Sequence, residues 1–278
     1  MNRIFMRYPD GRAKALTLSY DDGVEQDIEL VARMQKYGIP GTFNINSGLF
    51  APVGTEYAKG TIHRRMTKQM TVDLFENSGM EIAVHSLTHP WLEQIPETSV
   101  LWEVLSDRNN LETIFSMLVH GMAYPFGTFN DAVVEQLEKA GIWYARTTIS
   151  TETFFQPSDW LRLPATCHHN NPNLMELVQQ FLSETPKTEP YLFYLWGHSY
   201  EFEANDNWQV IQKFLSTVSG HEDIWYATNI EIYAYTKAYK ALDFATDCTI
   251  VHNPSALPVW ISCNGEVKRI KGGETISL

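Results

Sequence analysis

Cysteine is scarce and unpatterned in this sequence. The three present among 278 residues, Cys167, Cys248 and Cys263, form no C-x-x-C pair, which argues against a zinc ribbon or a disulfide framework and leaves unpaired thiols as the expectation. Positive charge is also in deficit. Lys and Arg number 21 against 33 Asp and Glu, a formal charge of −12, and the longest basic cluster is His63–Arg65. Nucleic acid and anionic membranes are therefore poor partners, because phosphate binding needs clustered cations; a neutral or cationic substrate suits the chain better. No apolar run is long enough to span a bilayer, and the opening MNRIFMRYPDGRAKAL has no apolar core before a small-residue cleavage site, so a soluble, cytoplasmic protein is expected. Neither G-x-G-x-x-G after the first strand nor G-x-x-x-x-G-K-[ST] occurs, which removes the usual nucleotide cradles. No low-complexity tract or long linker interrupts a composition that is 44% hydrophobic and 19% charged, ordinary values for a globular protein.

What is present is a repeating strand, loop and helix. Ala15–Ser19 reads as a buried strand; after YDDG, apolar residues recur at Val24, Ile28 and Val31 until Gly38 stops a helix. GTFNI makes the next strand, TVDLFENSG a short helix with Thr71 as its N-cap, and MEIAV a further strand. A helix over 97–118, a strand near 122–124 and a helix between Asn130 and Gly141 follow, then IWYAR, a helix begun by Pro172, YLFYL, a helix capped by Asn205 or Asp206, and IWYAT. Seven or so βα units imply parallel pairing in a closed or nearly closed barrel, with an open doubly wound sheet as the alternative. From about residue 241 the pattern turns β-rich, and Asn264-Gly265 marks a hairpin. The expected division is a (β/α) barrel over residues 1–240 and a β-rich appendage over 241–278.

A barrel concentrates chemistry on the loops after its strands. Asp21 and Asp22 follow the first strand, His85 and His89 follow EIAV, YPFG follows its own strand, and His198 follows YLFYLWG. His85 and His89 stand four apart, so a helical turn would put both imidazoles on one face toward a common ion. An acid from the first strand end completes a set of two nitrogens and one oxygen. Of the adjacent acids, one then coordinates the cation while its neighbour takes a proton from water, the ion offsetting their repulsion. Asp-Asp-Gly also suits a plain turn with a helix N-cap.

These residues resemble a known family. SYDDG is similar to the T-F-D-D-G motif of the polysaccharide deacetylases with the NodB homology domain, carbohydrate esterase family 4. HSLTH matches their H-S-x-x-H, YPFG looks like their third motif, and LWGHS sits where their last motif brings a catalytic histidine. The resemblance covers roughly residues 13–230 and implies a distorted (β/α) barrel, NodB-like, that hydrolyses an N-acetyl group from an amino sugar or polysaccharide with one divalent ion, usually zinc. By position it implies Asp22, His85 and His89 as metal ligands, Asp21 as base and His198 as the acid that protonates the leaving amine. Backbone N–H groups near Phe126 and Gly127 are candidates to hold an oxyanion, and Tyr124, Pro125, Phe126, Gly127, Trp196 and Tyr200 to contact substrate.

Two departures qualify that implication. The family's third motif reads R-x-P-[YW]-G, with an arginine that orients the base, where this chain has Ala123; Arg162, or alternatively Arg146, is expected to substitute. The fourth motif survives only loosely as SDWLRLP, which leaves the acid partner of His198 unassigned. CHHN at residues 167–170 reads as a loop with exposed imidazoles rather than a second metal site, and Glu201 and Glu203 as a solvated face. The expected substrate is an N-acetylated sugar; the alternatives are a small non-sugar amide, cyclic imide or ureide on the same fold and metal, and a non-catalytic carbohydrate-binding protein. Oligomeric state is not legible.

Overall fold

The computed structural model describes residues 2–278. In chain order the elements are β1 (Ile4–Arg7), β2 (Lys14–Asp21), α1 (Asp27–Lys36), β3 (Thr42–Ile45), α2 (Lys68–Phe75), β4 (Glu81–Val84), α3 (Glu97–Phe115), β5 (Gly121–Ala123), α4 (Asp131–Lys139), β6 (Tyr144–Ser150), β7 (Leu163–Ala165) and β8 (Cys167–His168). They continue with α5 (Leu174–Ser183), β9 (Tyr191–Gly197), α6 (Tyr200–Ala204), α7 (Gln209–Val218), β10 (Ile224–Tyr226), α8 (Asn229–Lys240), β11 (Asp243–Phe244), β12 (Ile250–His252), β13 (Val259–Cys263), β14 (Glu266–Ile270) and β15 (Thr275–Ser277).

The large sheet is parallel and runs β7-β6-β5-β4-β3-β2-β9-β8. β7 and β8 are separated only by Thr166, so one extended segment pairs with β6 through its first half and with β9 through its second. The Thr166 N–H donates to the Tyr194 carbonyl at 2.9 Å, which carries the seam across the gap. The ring thus closes, as the barrel expectation requires. The sequence reading had no strand at 163–168, where LPATCH offers a proline and no apolar run. β10 pairs with the first half of β2, on the edge whose other half β3 occupies.

Alternation along β2 explains why the interior can be polar. Leu16, Leu18 and Tyr20 pack outward into the main core beneath the helices, while successive strand side chains point to opposite faces and send Thr17, Ser19 and Asp21 inward. Inside, the Thr17 hydroxyl donates to Asn229, Asn229 to the Tyr194 hydroxyl, and Thr42 and Tyr144 to the buried Glu81 carboxylate. These bonds offset the desolvation that buried polar groups otherwise suffer. The outer layer follows helical spacing: α7 buries Ile211, Phe214, Leu215 and Val218, a stripe at i, i+3, i+4 and i+7.

Three local expectations shift. The cap of α2 lies four residues before the expected one, because Thr67 rather than Thr71 accepts the Met70 N–H. The helix expected after Asn205 or Asp206 begins at Gln209, with Trp208 at its cap. The C-terminal region forms two antiparallel sheets, and one of them takes β1 as its third strand against β13. Asn264 and Gly265, both at positive φ, turn the β13–β14 hairpin, the conformation that Asn-Gly favours. Among the described residues no helix is long and apolar enough to cross a membrane.

Candidate active site

Four strand ends meet at one cleft of about 260 Å3, lined by Asp21, Asp22, His85, His89, Tyr124, Phe126, Gly127, Thr148, Trp196, His198 and Tyr200. Asp21 is the last residue of β2 and points inward, whereas Asp22 turns away at φ 88°. Adjacent acids in one continuous strand would face opposite sides; this left-handed step brings both to the same cleft.

Asp22, His85 and His89 offer donor atoms that all lie within 4.8 Å of one another. Asp22 Oδ1 is 3.9 Å from His85 Nε2 and 3.8 Å from His89 Nε2. One carboxylate and two imidazoles suit zinc or a similar divalent ion. His85 Nδ1 lies 2.8 Å from the Ala123 carbonyl, so its proton sits on Nδ1 and Nε2 is free to ligate. Burial pushes the His85 imidazole down to about 4 and lowers His89 too, which favours the neutral, ligating form. The residues therefore fit a divalent ion. They do not lie on a helical turn as the four-residue spacing suggested: the segment is a loop in which Ser86 and His89 have φ of 62° and 57°.

Asp21 is gripped from inside the barrel. Arg146 Nη2 donates to both of its oxygens, and Asn44 Nδ2 donates to Oδ1 at 2.8 Å. Burial pushes the Asp21 carboxyl up, but the Arg146 guanidinium, helped by His85 and His198, outweighs that and holds it below the usual carboxylate value. Arg146 lies directly opposite Ala123 in the β5–β6 ladder, so the guanidinium absent from the third motif arrives from the neighbouring strand. Arg162, expected to reach Asp21, does not. It is paired with Asp131 and Asp159 at 2.6 and 2.7 Å; residue 162 precedes the seam strand, whereas Arg146 sits within β6 facing inward.

His198 Nε2 is 3.8 Å from Asp21 Oδ2, and its Nδ1 is 3.1 Å from Glu201 Oε1. The acid partner that sequence left unassigned is thus Glu201, three residues on, in α6. The expectation of a solvated face fails at this residue because α6 turns it back over the cleft. Glu201 Oε2 lies 3.2 Å from His168 Nε2 and 2.9 Å from His169 Nε2, and accepts from Asn170 Nδ2 at 3.0 Å. CHHN is accordingly not a loop of exposed imidazoles: His169 is 1% exposed. A Cβ at Gly197 would stand 2.0 Å from its ring, so glycine is needed there. His168 Nδ1 accepts the Asn170 N–H at 3.1 Å, which puts its proton on Nε2 toward Glu201. Burial favours neutral Glu201, yet the three imidazoles hold its carboxyl well below the usual range; burial lowers His198, yet Glu201 and the two aspartates raise it above an ordinary imidazole.

The substrate-contact candidates divide. Phe126, held at φ 57°, is exposed and stacks on Trp91 at 3.9 Å. Gly127 lines the cleft, but its N–H already donates to the Tyr124 carbonyl at 2.9 Å. Tyr124 is buried and donates to the Leu161 carbonyl, and Pro125 is buried in the turn. Trp196 lies mostly buried under the Arg146 guanidinium, 4.5 Å from its ring centre. Tyr200 lines the cleft beside His63. His63 and Arg65 were missed: His63 Nε2 is 3.1 Å from Asp22 Oδ2, and Arg65 Nη2 is 3.2 Å from Oδ1. Burial raises the Asp22 carboxyl, but the His63 hydrogen bond and the His85 and Arg65 charges drive it far below the usual range. The only hint in the sequence was a basic run in an acidic chain.

A family model described as polysaccharide deacetylase matches residues 9–145. No curated protein matches the sequence. Among solved structures, a candidate polysaccharide deacetylase from Mycobacterium smegmatis is similar, at 14% identity and a TM-score of 0.57 over 84% of this chain and 93% of that one. Peptidoglycan deacetylase PdaC from Bacillus subtilis is similar at 14% identity and a TM-score of 0.51, over 82% and 94%. At that identity the likeness concerns the fold. The resemblance drawn from the motifs stands: over residues 9–145 this chain carries the polysaccharide deacetylase family's sequence pattern, on the (β/α) barrel of such proteins.

Proposed function

We propose that this protein is a metal-dependent hydrolase that removes N-acetyl groups from an amino sugar or polysaccharide. The observation that carries the reading is the convergence, in one cleft, of an Asp22–His85–His89 donor set, an ionised Asp21 and a His198 held by Glu201. A divalent ion held there would polarise the acyl carbonyl and acidify water.

The chain's own groups do the rest. Asp21, kept ionised by Arg146, accepts a proton from the attacking water as its oxygen bonds to the acyl carbon. With the Gly127 N–H already engaged, the oxyanion falls to the backbone N–H of Phe126. His198, whose Nδ1–H points at Glu201, delivers a proton from Nε2 to the departing nitrogen as the C–N bond breaks. The products are a carboxylic acid and a free amine, one water having been consumed.

The small cleft supports a second reading, a non-sugar amide, cyclic imide or ureide, since about 260 Å3 falls below the usual size of drug-sized ligand pockets. One experiment separates them. Purified protein is assayed for bound divalent metal and for amine release from chitooligosaccharides and from small cyclic amides. About one ion per chain with turnover of the oligosaccharides supports the first reading. Turnover of cyclic amides alone supports the second, and activity undiminished in metal-free protein refutes both.

A further inference from the structure

The loop that presents His85 and His89 has no regular secondary structure, and two of its residues occupy the left-handed region. Such residues cost about 1–3 kcal/mol each and persist only where their surroundings over-determine them. The surroundings here come chiefly from α3. Glu103 and Asp107 stand four apart on it, so they share one face, and both are buried; among the described residues neither forms an ion pair with a basic side chain.

Asp107 Oδ2 accepts the His85 N–H at 3.0 Å and Oδ1 accepts the Ser47 N–H at 2.7 Å. Glu103 accepts the Thr88 N–H and hydroxyl at 2.8 and 2.7 Å, and its carbonyl accepts the Leu87 N–H at 3.2 Å. From the other side Gly48 donates to the Leu87 carbonyl at 3.0 Å. A Cβ at Gly48 would stand 2.5 Å from that oxygen. Asn46 Nδ2 reaches the Ser86 carbonyl at 2.9 Å.

We infer that Glu103 and Asp107 are positioning residues of the metal centre: they clamp residues 85–88 by the backbone and so fix where His85 and His89 aim. The inference rests on the metal reading above. Two buried carboxylates spent on backbone N–H groups of a ligand loop hold the imidazole nitrogens at the spacing a small ion requires. They do so without entering the cleft, which neither residue lines.

Affinity of the full-length, metal-stripped protein for cobalt and for zinc is measured by competition with a chromogenic chelator, for wild type, Asp107→Asn, Glu103→Gln and Glu81→Gln. Glu81 is the control, because it is another buried carboxylate that accepts a backbone N–H, from Ile230, away from the loop. The expected result is a 10–100-fold loss of affinity in D107N and E103Q, the usual effect of removing an outer partner, with a changed cobalt absorption spectrum and near wild-type affinity in E81Q. Should D107N fail to fold, E103Q decides alone, with Thr88→Ser, which keeps the hydroxyl, retaining affinity. Affinities within twofold of wild type in the α3 variants would overturn the proposal while leaving the metal reading intact. A wild-type chain that binds neither ion would overturn both.

Discussion

Replacing Arg146 with alanine isolates the group that holds Asp21. Both side chains are almost fully buried, at 1% and 3% exposure, so solvent cannot take over when the guanidinium leaves. Asp21 would keep the Asn44 donor at 2.8 Å and two imidazoles at 3.8 and 4.0 Å. Breaking a buried pair by removing one partner costs about 3–5 kcal/mol when the remaining charge stays ionised. Protonation is the way out, and under the proposed mechanism a protonated Asp21 cannot accept the water's proton. Losing general-base help lowers kcat/KM by about 10²–10⁴-fold. The acid limb of the pH–rate profile should move upward, since the guanidinium that lowers the Asp21 carboxyl is gone. Initial rates of amine release across pH, at saturating metal, give both quantities, and urea denaturation gives the stability change. A double variant, Ala123→Arg with Arg146→Ala, transfers the guanidinium to the facing residue of the ladder and should recover part of the rate. Activity of R146A within threefold of wild type, with an unmoved acid limb, would refute this account of Asp21.

Four further outcomes are expected. His198→Ala should lose about 10²–10⁴-fold in kcat/KM; Glu201→Gln should keep measurable activity but shift the alkaline limb downward, because Glu201 raises the His198 imidazole, and an unshifted limb would separate Glu201 from the acid. Burial pushes the Glu81 carboxyl from 4.5 up to about 7; its contribution to stability is therefore present below 4.5 and lost as pH rises through about 7. Thermal denaturation of metal-free protein should show that fall, reduced in Glu81→Gln, with Asp27 and Asp107, also raised to about 7 by burial, supplying the remainder. Gly121→Ala would place a Cβ 2.1 Å from the buried Tyr144 hydroxyl and should cost at least about 1–3 kcal/mol by urea titration, and a neutral effect would mean the interior repacks freely.

What the sequence made legible were features set by local period. Alternation in ALTLSYD marks a strand with one polar face, and its last acid falls at the barrel mouth; the same logic placed His85, the YPFG turn and His198 at strand ends. Local capping was readable at Asn130, whose side chain accepts the Val133 N–H at 2.9 Å, but misplaced at Thr71. Groups joined across long separations were harder to see. Arg146 and Arg162 were indistinguishable until ladder register put one opposite Ala123. Glu201 depends on how α6 turns, and His63 reaches Asp22 across 41 positions. The strand at 163–168 was invisible because its stability comes from filling a gap between two stronger strands rather than from its own residues.

That gap-filling segment links endurance to chemistry. It offers three residues to one neighbour and two to the other, a short join in the barrel wall, and it ends on His168, whose imidazole lies beside Glu201. Warming should loosen this short join early, and under the proposed roles of His198 and Glu201 the protein would then lose proton delivery to the leaving group while still folded. Deuterium uptake at residues 163–168 would then run ahead of uptake in β2, and its onset would track the temperature at which turnover fades.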